Sequence, residues 1–471
     1  MKRTLFLTAM SLSTGLLVFN ACQSRGTAPR LANPNTRFQS QAEAQAQQRL
    51  SQQLRQRLQQ ISPESGANYF IQPESHQLNA IPQDPKNPLT PAKVALGQML
   101  YHDTALGIDS KYPEGVGTYS CATCHHVGGG LQANRRQGIS DGAIGFGRRG
   151  EQRRPSPAIQ PLDIDFQPIR TPAAINTAWQ KNMLWNGQFG ANGANKGTES
   201  LWNRRQNSTL FIGIENNQLG FDGVETQALV GQEAHRLSLE KVKTIPAYQD
   251  MFAKAYPNVP PAQRITPVNA ALAIASFERT MLSNKAPFQR WLKEEPEAMS
   301  AAELRGALAF FGKGQCGTCH TGPALNSMRF EALGLKDLVG PDIIGSNPDA
   351  DQHKGRGSFT GRAEDMYKFK VPQLYNLADS PFYGHGGSIR SLEAFVSYMN
   401  QGKPENPRVP TSQLASSFKP LNLSASEQRD LVLFLKHSLR DPQLIRYQPK
   451  RVPSGQCVPN NDPASRRDLG C

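Results

Sequence analysis

Cys121-Ala122-Thr123-Cys124-His125 constrains this chain more than any other stretch. Two cysteines two residues apart, followed at once by histidine, are the attachment signature of c-type haem. The chemistry sets the spacing. Two thiols add to the two vinyl groups of the porphyrin, and the adjacent imidazole lies under the iron as its proximal ligand. A zinc or redox CxxC beside an incidental histidine is the competing reading of a single copy. A second copy, Cys316-Gly317-Thr318-Cys319-His320, removes it, because a chain with 7 cysteines and 9 histidines in 471 residues does not place two such motifs by chance. Two covalently attached haem c groups follow, 195 residues apart in the chain and so one per domain.

The length allows two or three domains. Hydrophobic content of 38%, 35 prolines and a mean hydropathy of −0.52 describe a loop-rich chain that is not embedded in a membrane. Residues 1–21 read as an export signal: Lys2 and Arg3 form the positive end, and Leu5 to Phe19 is an apolar run too short to span a bilayer. Cys22, after Phe19-Asn20-Ala21, stands where lipoproteins carry their acylated cysteine, so a lipid anchor, ordinary cleavage nearby and an uncleaved anchor are all open. Each places the chain in the periplasm or outer cell envelope, where c-type haem is attached. The formal charge of +14 stays positive after loss of Lys2 and Arg3 and addition of about four propionate charges. A positive surface suits an acidic partner or serves solubility alone; no motif points to nucleic acid.

Residues 22–81 are polar and glutamine-rich, a helical or disordered spacer with a thin stripe of Leu50, Leu54, Leu58 and Ile61. Thr90 caps an expected helix from Pro91 to Tyr101 just before the first motif. A second expected helix, Leu304 to Phe311, precedes the second motif, with Gly306 permitting close approach. Val268 to Met281 and Ser424 to Leu439 are the expected closing helices of the two halves. The fold class is mainly α: two cytochrome c-type domains with long loops, residues 82–295 and 296–441, and a tail at 442–471. Between His125 and Trp185 runs a Gly-, Arg- and Pro-rich segment of a length that is uncommon unless functional. Cys457 and Cys471 would close a disulfide loop in an oxidising compartment, worth roughly 3 kcal/mol; free thiols or pairing with another chain are the alternatives.

Several blocks occur in a familiar order: Leu96-Gly97 with Leu100-Tyr101 and Asp103, then Ser120-Cys121; Trp185-Asn186-Gly187; Ser276-Phe277-Glu278-Arg279-Thr280; Pro287-Phe288; Phe369-Lys370-Val371-Pro372 with Leu374 and Asn376; Pro381-Phe382-Tyr383-Gly384-His385-Gly386-Gly387; and Ser391-Leu392-Glu393. With the two motifs, they make residues 82–441 resemble the bacterial dihaem cytochrome c peroxidases and their methylamine-utilisation-type relatives. The resemblance implies a division of labour. An N-terminal haem ligated by His125 binds hydrogen peroxide. A C-terminal haem ligated by His320 and Met399 receives electrons from a small cytochrome or copper protein. Trp185 lies between them.

On periodicity alone Met399 is a core residue, following Leu392, Phe395 and Val396 along one helix face; its ligand role comes from the resemblance, and His385 is its rival. Glu233 is the residue implied to move protons on peroxide; by itself it reads as an exposed helix glutamate, with His235 as substitute or helper. Two departures from the family stand out. Gly145-Phe146-Gly147 occupies the place of a loop whose histidine caps the peroxidatic iron, and phenylalanine cannot ligate, so that iron is expected to be open in the oxidised protein. Arg170 stands near the place of an asparagine that binds interdomain calcium, which puts calcium in doubt. An oxidase or oxygenase acting on a protein side chain or an organic substrate, and a pure electron-transfer cytochrome, are the rival functions. The sequence leaves the donor and the choice between monomer and homodimer open.

Overall fold

The computed structural model describes residues 34–203 and 212–471. The export signal and Cys22 lie outside them. The chain divides at Gln45: residues 1–45 form one unit, and residues 46–471 form the other, which holds both motifs.

The architecture is helical with long loops. Its principal helices are α1 Pro34–Ile61, α2 Pro91–His102, α3 Gly223–Ala234, α4 Pro246–Ala255, α5 Pro267–Thr280, α6 Ala301–Phe311, α7 Leu392–Gln401, α8 Ala425–Leu433 and α9 Pro463–Leu469. Strands are confined, among the described residues, to two antiparallel two-residue pairs, Ala143–Ile144 with Arg154–Pro155 and Phe330–Glu331 with Phe369–Lys370. The helices begin where local chemistry satisfies their first N–H groups. Thr90 accepts from Lys93 N ahead of Pro91, and Ser300 with Glu303 and Ser424 with Glu427 form capping boxes.

Each motif is preceded by a helix that crosses a closing helix at a glycine. A Cβ on Gly97 of α2 would lie 1.9 Å from Ala273 O of α5, and one on Gly306 of α6 would lie 2.0 Å from Asp430 O of α8. The pattern continues beyond the motifs. Asn176 and Asn376 both adopt left-handed backbone, φ 59° and 58°. Their N–H groups donate to Met281 O at 2.8 Å and Leu439 O at 2.9 Å, just past the two closing helices. A bridge between Met183 and Phe189 then recurs between Tyr383 and Ile389. The two halves thus share one layout.

Two large hydrophobic cores result, and the segments flanking the two halves exchange between them. Leu54, Leu58 and Phe70 are fully buried in the core that contains Phe310 and Phe434 of the second half together with Phe288 and Trp291. Leu444 and Tyr447 pack into the core of the first half, with Leu96, Tyr101 and Phe277. The expectation of a spacer over residues 22–81 is therefore corrected from Leu50 onward. The leucine stripe finds an apolar partner surface, and Trp291 Nε1 donating to Ser51 Oγ at 3.0 Å and Arg57 Nε donating to Phe311 O at 2.7 Å fix the docking. The tail also docks. Cys457 and Cys471 are disulfide-bonded, and the segment they bracket lies against the first motif.

Candidate functional site

Both motifs fold into a single tight turn, Cys121–Thr123 and Cys316–Thr318. His125 N donates to Cys121 O at 3.1 Å and His320 N to Cys316 O at 2.9 Å, so each histidine emerges beside its two cysteines. All four sulfurs are free of disulfides. Burial pushes the Cys121, Cys124 and Cys316 thiols up to about 12. A redox CxxC needs the opposite shift, and among the described residues no group of three or more His, Cys, Asp or Glu side chains could hold a metal ion. The donor sets therefore fit thioether attachment of haem.

The histidines are prepared as ligands. His320 Nδ1 faces two backbone carbonyls, Leu325 O at 3.1 Å and Pro372 O at 3.0 Å. Nδ1 must then carry the proton, which leaves Nε2 bare for iron. The Leu131 and Pro172 carbonyls act on the His125 imidazole in the same sense, opposing the effect of burial, though its Nδ1 has no hydrogen-bond partner among the described residues. Burial holds both imidazoles down to about 4, so both are neutral at physiological pH, as ligation requires. His126 does not compete. Its Nδ1 accepts from Gly129 N at 3.1 Å within the proximal loop.

A cavity of about 260 Å³ opens beside the second motif, lined by Cys316, Cys319, His320, Met399, Trp185 and His385 among others. Met399 of α7 thus shares one cavity with His320. His385 does too, but its Nε2 is bonded to Asp337 Oδ1 at 3.0 Å and its ring stacks on Phe369 at 3.7 Å. Trp185 stands at the edge of the same space. Its Nε1 donates to Arg170 O at 2.7 Å, and its ring meets His385 edge-on at 6.4 Å.

On the side of the first motif, Glu233 is exposed at the end of α3 and makes no side-chain hydrogen bond among the described residues. His235, which caps that helix, is better connected: its Nδ1 bonds to Asp165 Oδ2 at 2.8 Å. Burial opposes its charged form, but the charge and hydrogen bond of Asp165 outweigh both burial and Arg236 and hold its pKa above the ordinary value. His235 also acts electrostatically on His125. Phe146 is buried with its ring against His126 at 5.0 Å, and Asp468 accepts from the N–H groups of Phe146 and Gly147 at 2.8 Å. Phenylalanine, not a ligand, occupies this loop, and the tail pins it.

Sequence reasoning missed Asp165, Asp337, His353 and the tail residues Asn460 and Asp462. All but His353, whose partner Pro348 is five residues away, meet a partner over a long sequence separation, and none lies in a motif. Arg170 was marked only as a departure from a calcium ligand. Its guanidinium is 2% exposed and donates to Arg135 O, Gln132 Oε1 and Ser380 Oγ.

Residues 91–297 match the family model for di-haem cytochrome c peroxidase. The methylamine utilization protein MauG of Methylorubrum extorquens is 31% identical over 383 residues, covering 80% of this chain and 85% of that protein. The cytochrome-c peroxidase IdrP1 of Denitromonas iodatirespirans is 27% identical over 79% of this chain and 88% of its own length. A crystal structure of a MauG-like protein associated with microbial copper homeostasis superposes with a TM-score of 0.52 at 23% identity, covering 78% of this chain and 95% of that one; this likeness concerns the fold.

Proposed function

The chain belongs to the di-haem cytochrome c peroxidase family of oxidoreductases, and we propose that it reduces hydrogen peroxide to water at the His125 haem with electrons delivered singly through the His320 haem. Two electrons and two protons convert one peroxide to two waters. The haems supply one-electron redox chemistry; the protein supplies binding, orientation and proton handling. In this reading residues 82–295 and 296–441 are the peroxidatic and electron-accepting domains. His320 and Met399 would hold the accepting haem, and a soft thioether would raise its potential as an entry point requires. Trp185 assists passage between the haems. The donor is a small cytochrome or copper protein.

Proton movement is assigned to the end of α3. Glu233 is the residue the family likeness implies; the Asp165–His235 hydrogen bond favours His235 as a second reading, since a carboxylate that orients and charges an imidazole equips it as a general acid–base. The protein acts outside the cytoplasm in the periplasm or envelope, with lipid attachment at Cys22. The Cys457–Cys471 disulfide supports an oxidising compartment, and among the described residues no helix is long and apolar enough to cross a membrane.

The observation that carries this reading is the cavity in which His320, Met399 and both cysteines of the second motif meet beside Trp185. Steady-state turnover tests it: two equivalents of reduced donor should be consumed per peroxide. Absence of donor oxidation, with peroxide-dependent modification of a protein side chain or organic compound instead, would transfer the function to the rival oxidase class.

A further inference from the structure

The cavity beside the second motif contains buried nitrogen groups that the protein leaves without anionic partners among the described residues. Arg170 lines it and is 2% exposed. Three of its five N–H groups are used, all on neutral oxygens: Arg135 O at 3.0 Å, Gln132 Oε1 at 2.6 Å and Ser380 Oγ at 2.9 Å. Its plane lies over the Phe382 ring at 5.2 Å. No carboxylate among the described residues pairs with it, and burial pulls its pKa down to about 9. His353 lines the same cavity and is 5% exposed. Its Nδ1 donates to Pro348 O at 3.2 Å, so its Nε2, buried and without a partner among the described residues, donates to an anion only when both ring nitrogens carry a proton. Both flank His385: Arg170 N donates to His385 O at 2.9 Å, and His353 acts electrostatically on His385 and Asp337. The carboxylates that line the cavity are engaged, Asp337 with His385 and Asn406 and Glu331 with Arg329.

A buried cation without a counter-ion is costly, and so is a buried polar nitrogen without a hydrogen-bond partner. Both costs vanish if an anion with two or more acceptor oxygens enters with the cofactor. We propose that Arg170 and His353 form the carboxylate-binding end of this cavity and hold the propionates of the C-terminal haem. The proposal rests on haem attachment at the second motif and on the assignment of that haem to electron entry. Arg170 is then a positioning residue that sets potential: its charge, acting through a medium of low dielectric, offsets the propionates and favours the ferrous iron. An arginine able to neutralise a propionate also accounts for the place of a calcium ligand being taken by a cation.

The test uses the holoprotein. Its crystal structure should show propionate oxygens within hydrogen-bond distance of the Arg170 guanidinium and His353 Nε2. Dye-mediated redox titration should show Arg170→Gln lowering the midpoint of the His320 haem by at least 59 mV, a tenfold change in the ferrous-to-ferric ratio for a one-electron couple. Arg170→Lys should keep the shift below threefold, and His353→Phe should lower the midpoint in the same direction as Arg170→Gln. If Arg170→Gln does not accumulate, the lysine and phenylalanine variants and the structure still decide. Propionates that contact neither residue, a buffer or substrate carboxylate in their place, or midpoints unchanged in both Arg170→Gln and His353→Phe would overturn the assignment. The titration needs no peroxide, so shifted midpoints in a protein that fails to turn over peroxide would remove the peroxidase reading and leave this one standing.

Discussion

Met399 and His385 show how single residues of one cavity are told apart by what else they touch. His385 has committed Nε2 to Asp337 and a ring face to Phe369, so in the proposed reading Met399 is the side chain that would join His320 in holding the second haem. Met399→Ala should abolish the methionine-ligated low-spin spectrum and lower that haem's potential; an unchanged spectrum would return the role to His385. Glu233 and His235 present the same choice at the other haem. His235→Gln should reduce peroxide turnover by about 10²–10⁴-fold, whereas Glu233→Gln, at an exposed site, should change it less than tenfold; the reverse order would restore Glu233. The sign of the pH effect follows from the raised pKa of His235. Its pairing with Asp165 stabilises the fold fully below the unfolded histidine's value of about 6.5, and that contribution is lost as pH rises through the higher folded value. The same groups set the profile, namely Asp165, Arg236 and His125. Asp165→Asn should shift the profile toward lower pH. The cysteines and proximal histidines were legible in the sequence because attachment chemistry fixes their spacing. Asp165 and Asp337 were not, because a carboxylate that orients a histidine 48 to 70 residues away leaves no local pattern.

At the scale of elements, the caps and glycines explain why four helices were legible. Thr90 before Pro91, and the Ser–Glu boxes before α6 and α8, mark helix starts directly in sequence. The closing helix of the second half ends differently from its periodic pattern: beyond Leu433, residues Phe434–Ser438 widen into a π-turn, which the apolar spacing of Leu431, Phe434 and Leu435 does not distinguish from α. Gly97 and Gly306 are where helix crossing is tightest, so Gly→Ala should act oppositely at different helix positions. At either crossing a methyl group would sit 1.9 or 2.0 Å from a backbone carbonyl, and separating the helices should cost at least about 1–3 kcal/mol. Gly231 of α3 faces only the far end of the Gln227 side chain at 3.6 Å. Gly231→Ala should therefore stabilise by up to about 1 kcal/mol through helix propensity. Denaturation midpoints of the three variants check the contrast. Equal effects at Gly97 and Gly231 would mean that the crossing is not the constraint.

The unit of residues 46–471 is held by the segments that flank its two halves, which composition concealed. The tail reads as aperiodic loop, yet it covers the first motif. Ser120 Oγ donates to Pro459 O at 3.2 Å, Thr123 Oγ1 and the Asn460 amide are hydrogen-bonded at 2.6 Å, and Ser454 Oγ donates to Asp103 Oδ1 at 2.6 Å. Its centre is Asp462, whose carboxylate accepts from Arg153 at 3.1 Å and from Gly145 N at 2.9 Å, both partners of the pair being nearly fully buried. Burial alone would raise the Asp462 pKa, but Arg153 and the N–H and O–H donors around it lower it. The carboxylate therefore stabilises the fold fully above the unfolded value of about 3.9, and this is lost as pH falls through the depressed folded value. Asp462→Ala leaves Arg153 charged and buried without its partner, which should cost about 3–5 kcal/mol, while Asp462→Asn keeps the shape and should cost less. Opening the disulfide by Cys457→Ser should add a loss of roughly 3 kcal/mol on a loop-entropy estimate. Because the tail touches residues 103–153, the loss should appear first at the His125 haem. Denaturant titrations read separately at the two haems should show the first transition moving to lower denaturant in Asp462→Ala and the His320 haem following later. A single coincident transition in wild type and variant would mean that the two halves unfold as one, with the tail securing both.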